Sequence, residues 1–483
     1  MLHRMTRSAE NSDAPVPTLS PLDRARAAAG VLLPSVIKGA IIRRPAGVSL
    51  VARLGADTLS VKELQRLSRR HGTGPVQFSM FGRRLAFVLE PADAKRVLDE
   101  TPSPFSPATL EKRAALGHFQ PANSLISTPE ERAARRPFND RVLESTSQTH
   151  SHASAMATAV EEEIDALLGH VDFVGELDWD AFSTAWWRMV RRIVLGDAAR
   201  DDEQITDDLR RLRERGNWAY LAPVRARLRG RFLRRVQHYI DRAEPGSLAE
   251  VVARTPASPG TEPAQQVPQW LFAFDAAAWA TFRALLLLTE HRGAVDRARD
   301  EATDAPSLPF VRATVLESLR LWPTTPLVLR EATEPTVWSN GALDAKTSVV
   351  IFAPYFHRDD RRADWAHVFS PELWLDARDR DSGGDETGQP DGTEHLGESL
   401  ALVPFSGGTG VCPGRNVVLL TASLVLSRLV AGHDFSSVHP LRTTHLPGSL
   451  SPFTTRFTAR RSERTRAVPE TSTTGPGGSP GTR

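Results

Sequence analysis

Phe405-Ser-Gly-Gly-Thr-Gly-Val-Cys412-Pro-Gly-Arg415 is the stretch whose reading decides the fold. It carries the only cysteine among 483 residues, with three glycines and a threonine before it and Pro413-Gly414 directly after it. The next run, residues 416–430, predicts a helix, because Val418, Ala422, Val425 and Leu429 recur at steps of four, three and four and make one apolar stripe. Pro413 suits a first helical turn, where a missing N–H costs nothing. Cys412 therefore belongs to a glycine-rich loop at the mouth of a buried helix. The positive end of the helix dipole is expected to favour thiolate there, below the ordinary thiol pKa of about 8.5. Such a thiolate is a good ligand for iron. Gly408 and Gly410 let the backbone turn tightly, and Gly414 lets the helix start press against something flat. A lone cysteine is more often a small core residue. Four fixed positions around a glycine loop outweigh that reading.

The spacing Phe-x-x-Gly-x-x-x-Cys-x-Gly, carried by Phe405, Gly408, Cys412 and Gly414, resembles the haem-binding loop of the cytochrome P450 family. The resemblance implies a mainly α fold with a small β region, a single large domain enclosing haem b, with Cys412 as the axial ligand of the iron. It also implies that Phe405 packs beside the thiolate. Gly410 stands where an arginine or histidine is frequent, so one customary propionate contact is missing.

Composition agrees with an enzyme of this kind. Net charge is +2, so no long-range field marks the chain for nucleic acid or acidic membranes. One cysteine excludes an intramolecular disulfide framework, which fits a reducing, cytoplasmic setting. Residues 27–42 contain Pro34 and Lys38 and fall short of a membrane span of about 20 apolar residues. No membrane association is expected. Residues 1–44 read as a partly disordered N-terminal extension, 45–462 as the catalytic domain, 376–398 as a mobile Asp/Gly-rich loop within it, and 463–483 as a disordered tail.

Strands around Gly82-Arg83 form a hairpin, followed by a helix from Pro91. Thr128 is an N-cap for a helix with acids in its first turn. By resemblance this helix supplies an arginine to a haem propionate, at Arg135 or Arg136, and the histidine usual four residues earlier is replaced by Glu131 or Arg132. Ten arginines crowd positions 210–235 with Leu212, Trp218, Tyr220 and Phe232 between them. Acids just upstream make a solvated amphipathic helix pair the better reading than a nucleic-acid surface.

Residues 270–288 are apolar on nearly all sides, with Asp275 and Arg283 inside, and predict a buried central helix. Asp275 is expected to be structural, paired with an arginine. Glu317 and Arg320 stand three apart on the next strong helix and can pair; the sequence following them resembles the family's Glu-x-x-Arg helix, and Arg330 its propionate-binding arginine. Phe369-Ser-Pro-Glu-Leu-Trp374 matches a further family box, except that Leu373 replaces the arginine that normally joins the Glu317–Arg320 network.

The family usually carries a threonine in the central helix whose hydroxyl orders water and steers protons. Two registers place it at Ala276, next to Asp275, or at Thr281. The Thr281 register is expected, because it puts small Ala277 and Ala278 on the threonine's face, whereas the other puts Phe272 there. No flavin, nicotinamide or phosphate-binding motif is present. The resemblance therefore implies monooxygenation of a small, natural-product-like molecule with electrons from a ferredoxin and its reductase. Peroxide use, radical coupling or rearrangement, and a catalytically silent haem protein are the alternatives.

Overall fold

The computed structural model describes residues 14–304, 308–375 and 401–462. The expected loop at 376–398 and tail at 463–483 lie outside them. Helices dominate. Those that build the site are α1 (Pro91–Asp99), α2 (Pro129–Val142), α3 (Ala153–Val174), α4 (Trp179–Leu195), α5 (Glu203–Gly216), α6 (Val267–Glu290), α7 (Pro309–Leu321) and α8 (Arg415–Gly432).

α6 is the axis of the helical part. Its residues are apolar on nearly all sides, so it is stable only where neighbours cover it, and α4, α7 and α8 all pack on it. Phe282 of α6 packs tilted against Phe182 of α4 at 4.8 Å and meets Phe457 edge-on at 5.2 Å. Each of these fully buried phenylalanines contributes about 1.5–3 kcal/mol by leaving water. α6 and α8 are long and apolar enough to cross a membrane, but most of each lies inside the core.

The β region is a five-stranded sheet in the order β1-β2-β5-β4-β3, with β1 (Val76–Met80), β2 (Arg83–Phe87), β3 (Phe105–Ser106), β4 (Leu327–Ala332) and β5 (Ser348–Phe352). β1 and β2 form the expected hairpin, pairing Met80 with Arg83 around a turn at Phe81-Gly82. β2 pairs β5 in parallel, and β4 joins antiparallel to both β5 and β3. The β1–β4 and β5 core has its own apolar cluster, separate from the helical one.

The described part of the segment before residue 45 is no loose extension. Val16, Leu19, Ala27 and Val31 are buried in the sheet's cluster. Backbone bridges tie Pro15 to Ala342 and Thr18 to Gln77. The folded unit therefore begins at least as early as residue 14.

Candidate active site

The cysteine loop is built by its own backbone. The Cys412 N–H donates to Phe405 O at 3.0 Å, which closes the loop, and Gly414 caps α8. Gly408 sits at φ +54°, and a Cβ there would meet Leu98 O at the end of α1 at 2.3 Å. That position admits only glycine. Cys412 is half-buried, and Phe405 packs against the helical core beside it. Burial pushes the Cys412 thiol up, against the opposing pull of the Gly414 amide, Arg136 and Arg415. The sequence argument expected the reverse. The helix terminus does act in the predicted direction, but desolvation of the thiolate outweighs it.

Around the loop lies a cluster of buried cations. Arg330, on β4, donates from Nε to Thr101 Oγ1 at 2.9 Å and from Nη2 to Ser406 Oγ at 3.1 Å. A Cβ on Gly410 would lie 2.5 Å from Arg330 Nη2. The loop lacks a side chain at 410 because a guanidinium from the sheet fills that place.

α2 presents two more arginines. Thr128, the expected N-cap, forms a capping box with Glu131, and it sets the helix phase. Arg132 donates to Thr409 O at 3.3 Å and Ser124 O at 3.1 Å, and Arg136 donates to Val411 O at 2.9 Å. Arg135 faces the other way, donating to Ser127 Oγ and Gly260 O. One position along a helix is about 100° of rotation, so Arg135 cannot share the loop with Arg136. Of the two arginines, Arg136 belongs to the site, and its partner four residues earlier is Arg132.

Lys112 completes the cluster, donating to Leu329 O at 2.8 Å and Pro107 O at 3.1 Å. Among the described residues Arg330, Arg132 and Lys112 have carbonyl and hydroxyl partners but no carboxylate, whereas Arg136 pairs with Asp140 at 2.8 Å. Burial and mutual repulsion pull Arg330 and Arg132 each down to about 10 and Lys112 well below its usual value. Buried cations without counter-charge are costly. A dianionic group seated here would relieve that cost, and a porphyrin with two propionates is such a group. The residues present fit haem.

Glu317 and Arg320 are both fully buried and joined in a two-point pair at 2.5 and 2.8 Å. Arg320 also donates to the carbonyls of His357, Ala366 and Val368. Glu317 accepts from the Ser370 N–H at 2.8 Å and from Trp374 Nε1 at 3.0 Å. The arm left open by Leu373 is closed by its neighbour. His357 locks the pair to the cysteine segment, since its Nδ1 faces Arg320 O and its Nε2 accepts from the Val403 N–H at 2.8 Å.

The central helix is phased differently from the sequence expectation. Gln269, Phe272, Ala273, Ala276 and Arg283 are half-buried and share one face of α6. Phe272 meets Phe119 edge-on, Arg213 lies 4.6 Å over the Phe272 ring, and Gln269 bonds Gln120 at 2.5 Å. Through these contacts the face meets α5 and the segment after Leu116. Thr281 stands about 140° round the helix from Ala276. It is fully buried, and its hydroxyl donates to Ala277 O at 2.8 Å. Ala277 and Ala278 are core residues. The Thr281 register is therefore corrected to the one that sets Asp275 and Ala276 where acid and threonine are usual. The steric argument failed because Phe272 leans sideways onto Phe119 and Arg213. Asp275 pairs with Arg213 at 2.7 Å, the arginine partner expected for it.

Arg132, Lys112 and Trp374 were missed as site residues. Arg132 was visible as the residue four before Arg136. Lys112 carries no motif.

A family model described as Cytochrome P450 matches residues 275–452, from Asp275 through the Glu317–Arg320 pair and the Cys412 loop. Among curated proteins, Cytochrome P450 93B2 of Gerbera hybrida is 27% identical over 204 residues, 39% of this chain and 38% of that one. (S)-N-methylcoclaurine 3'-hydroxylase isozyme 1 of Papaver somniferum is 31% identical over 134 residues, 28% of this chain and 25% of that one. The matched part thus spans about a quarter to two-fifths of these relatives' length. A solved structure titled retinoic acid bound cyanobacterial CYP120A1 superposes with a TM-score of 0.64 at 16% identity, covering 82% of this chain and 94% of that one.

Proposed function

This chain belongs to the cytochrome P450 family, and from that premise we propose that it is a haem-thiolate monooxygenase acting on a small organic molecule. The observation that carries the reading is the half-buried Cys412 loop ringed by Arg330, Arg132 and Lys112, with no balancing carboxylate among the described residues. When bound, haem b would be held through the Cys412 sulfur and would supply dioxygen activation. Arg330 and Arg132, with Arg136 behind them, would hold its propionates through charge-assisted bonds. Phe405 shields the sulfur and helps set the potential. Ala273 and Ala276 leave space on the α6 face for substrate and oxygen.

Protons must reach that face without help from a threonine hydroxyl. Ala276 has no hydrogen-bonding side chain, and Asp275 is tied to Arg213. Ordered water, or a hydroxyl of the substrate itself, carries them. Two electrons per turnover come from a separate ferredoxin and its reductase, and the setting is cytoplasmic. Turnover in the presence of ferredoxin, reductase and dioxygen, with one oxygen atom gained in product mass, tests the reading. Haem that binds but never turns over with these donors would count against it.

Ala276 favours one second reading, oxidation driven by hydrogen peroxide, which brings its own protons. Faster turnover with peroxide than with ferredoxin would select it.

A further inference from the structure

The α6 face that carries Phe272 and Ala276 continues to Trp279 and Arg283, which line a pocket open to solvent, with about 520 Å³ of empty space when the solvent at its mouth is counted. Lys38, Arg43 and Asp57 form its outer wall, and the segments at Trp322 and Phe453 its sides. The charges in it do not balance. Lys38 pairs with Asp57 at 2.7 Å, and Ser449 Oγ donates to the same carboxylate at 2.6 Å. Among the described residues Arg43 and Arg283 meet only backbone oxygens. Arg43 donates to Gly39 O and Thr324 O, both at 2.6 Å, and Arg283 to Leu450 O at 2.6 Å and Trp322 O at 3.2 Å.

Among the described residues neither guanidinium has an ion-pair partner, and the nearby Asp275 is closed onto Arg213 at 2.7 Å. Burial pushes Arg43 down to about 10 and Arg283 to about 9, the latter also repelled by Arg43. Both stay protonated at neutral pH. Carbonyl oxygens satisfy N–H donors but do not cancel net charge, so the cost of burying two cations side by side remains. An anion would cancel it. Apolar surface lies against the same cations, with Arg43 5.8 Å over the Trp279 ring and Trp322 and Phe453 alongside.

We propose that Arg43 and Arg283 form a specificity-determining anchor for the acid group of an amphipathic substrate, a carboxylate on an aliphatic or aromatic body. The body lies along α6 towards Ala276. Arg283 is seven residues from Ala276, about 10 Å along the axis, so oxidation falls on the order of 10 Å from the acid group. The inference rests on the monooxygenase reading for its chemistry but not for its binding.

The test is calorimetric titration of the holoenzyme with dodecanoate and phenylacetate, each against its methyl ester. At least one acid should bind about tenfold or more tightly than its ester, the size of a charge-assisted bond or two. Arg43→Met should bring that ratio close to one. Arg283→Met should do the same, with Arg283→Lys retaining part of it, and melting curves report whether each variant is folded. Equal affinity of both acids and their esters, or binding by neither acid, overturns the anchor. So does a preference that survives in folded Arg43→Met. The carbon-monoxide spectrum is recorded on the same samples. A thiolate-type band without acid preference defeats the anchor alone, and acid preference without that band defeats the monooxygenase reading alone.

Discussion

Trp374 donates its indole N–H to Glu317 at 3.0 Å, within a pair whose two members, Glu317 and Arg320, have no exposed surface. An arginine at position 373 would have brought a second positive charge to one carboxylate. The indole and the Ser370 amide bring two neutral donors instead. The carboxylate is saturated and the pair stays electrically neutral.

Trp374→Phe removes one bond to a charged acceptor, a loss of about 1.5–3 kcal/mol. Glu317→Ala strands a buried guanidinium, a loss of about 3–5 kcal/mol. Urea unfolding and haem content per chain should rank the variants in that order. A Glu317→Ala protein that unfolds at the wild-type midpoint, holds full haem and fails only in turnover would show the pair to be catalytic rather than structural.

Cys412→Ala should abolish the long-wavelength Soret band of the reduced, carbon-monoxide-bound protein. A wild-type band at the position of histidine-ligated haem would remove the thiolate assignment.

Thr281→Ala should leave coupling of electrons to product unchanged, because the hydroxyl is committed to Ala277 O. Ala276→Thr places a hydroxyl on the half-buried face and should shift the ratio of product to peroxide. The measurement is product formed per electron consumed. Loss of coupling in Thr281→Ala, with none gained or lost in Ala276→Thr, would restore the rejected register.

His357 gives the fold an acid sensitivity. Burial and the Arg320 charge pull it from 6.5 down to about 3. Between those values the unfolded chain binds a proton that the native state refuses, so stability falls as pH drops from about 6.5 towards 3. His357→Gln keeps a donor and an acceptor but cannot titrate. Its unfolding free energy should fall less steeply with acid than that of the wild type, and parallel slopes would exclude His357 as the cause.

Most of the framework could be read from residues. Periodicity located α6, α7 and α8, Thr128 and the acids after it announced the start of α2, and Gly82 marked the β1–β2 turn. What stayed hidden was rotational phase. A helix as apolar as α6 offers only a few scattered polar side chains from which to read orientation, so the choice between Ala276 and Thr281 depended on neighbours far away in sequence, Phe119 and Arg213. Arg135 and Arg136 posed the same problem, because adjacent arginines look alike until the packed face is known.

The bridges from Pro15 to Ala342 and Thr18 to Gln77 set an order of assembly. β1 and β2 can pair as soon as they are made, but β2's other neighbour, β5, ends at Phe352. On the ribosome, the first strands must wait for more than half the chain, with their apolar faces and the N-terminal strap unsatisfied. Contacts this distant in sequence are slow to form and leave strand edges open meanwhile. A nascent-chain force profile should show the sheet closing only after Phe352 has left the exit tunnel, with truncations before that point the most prone to aggregate.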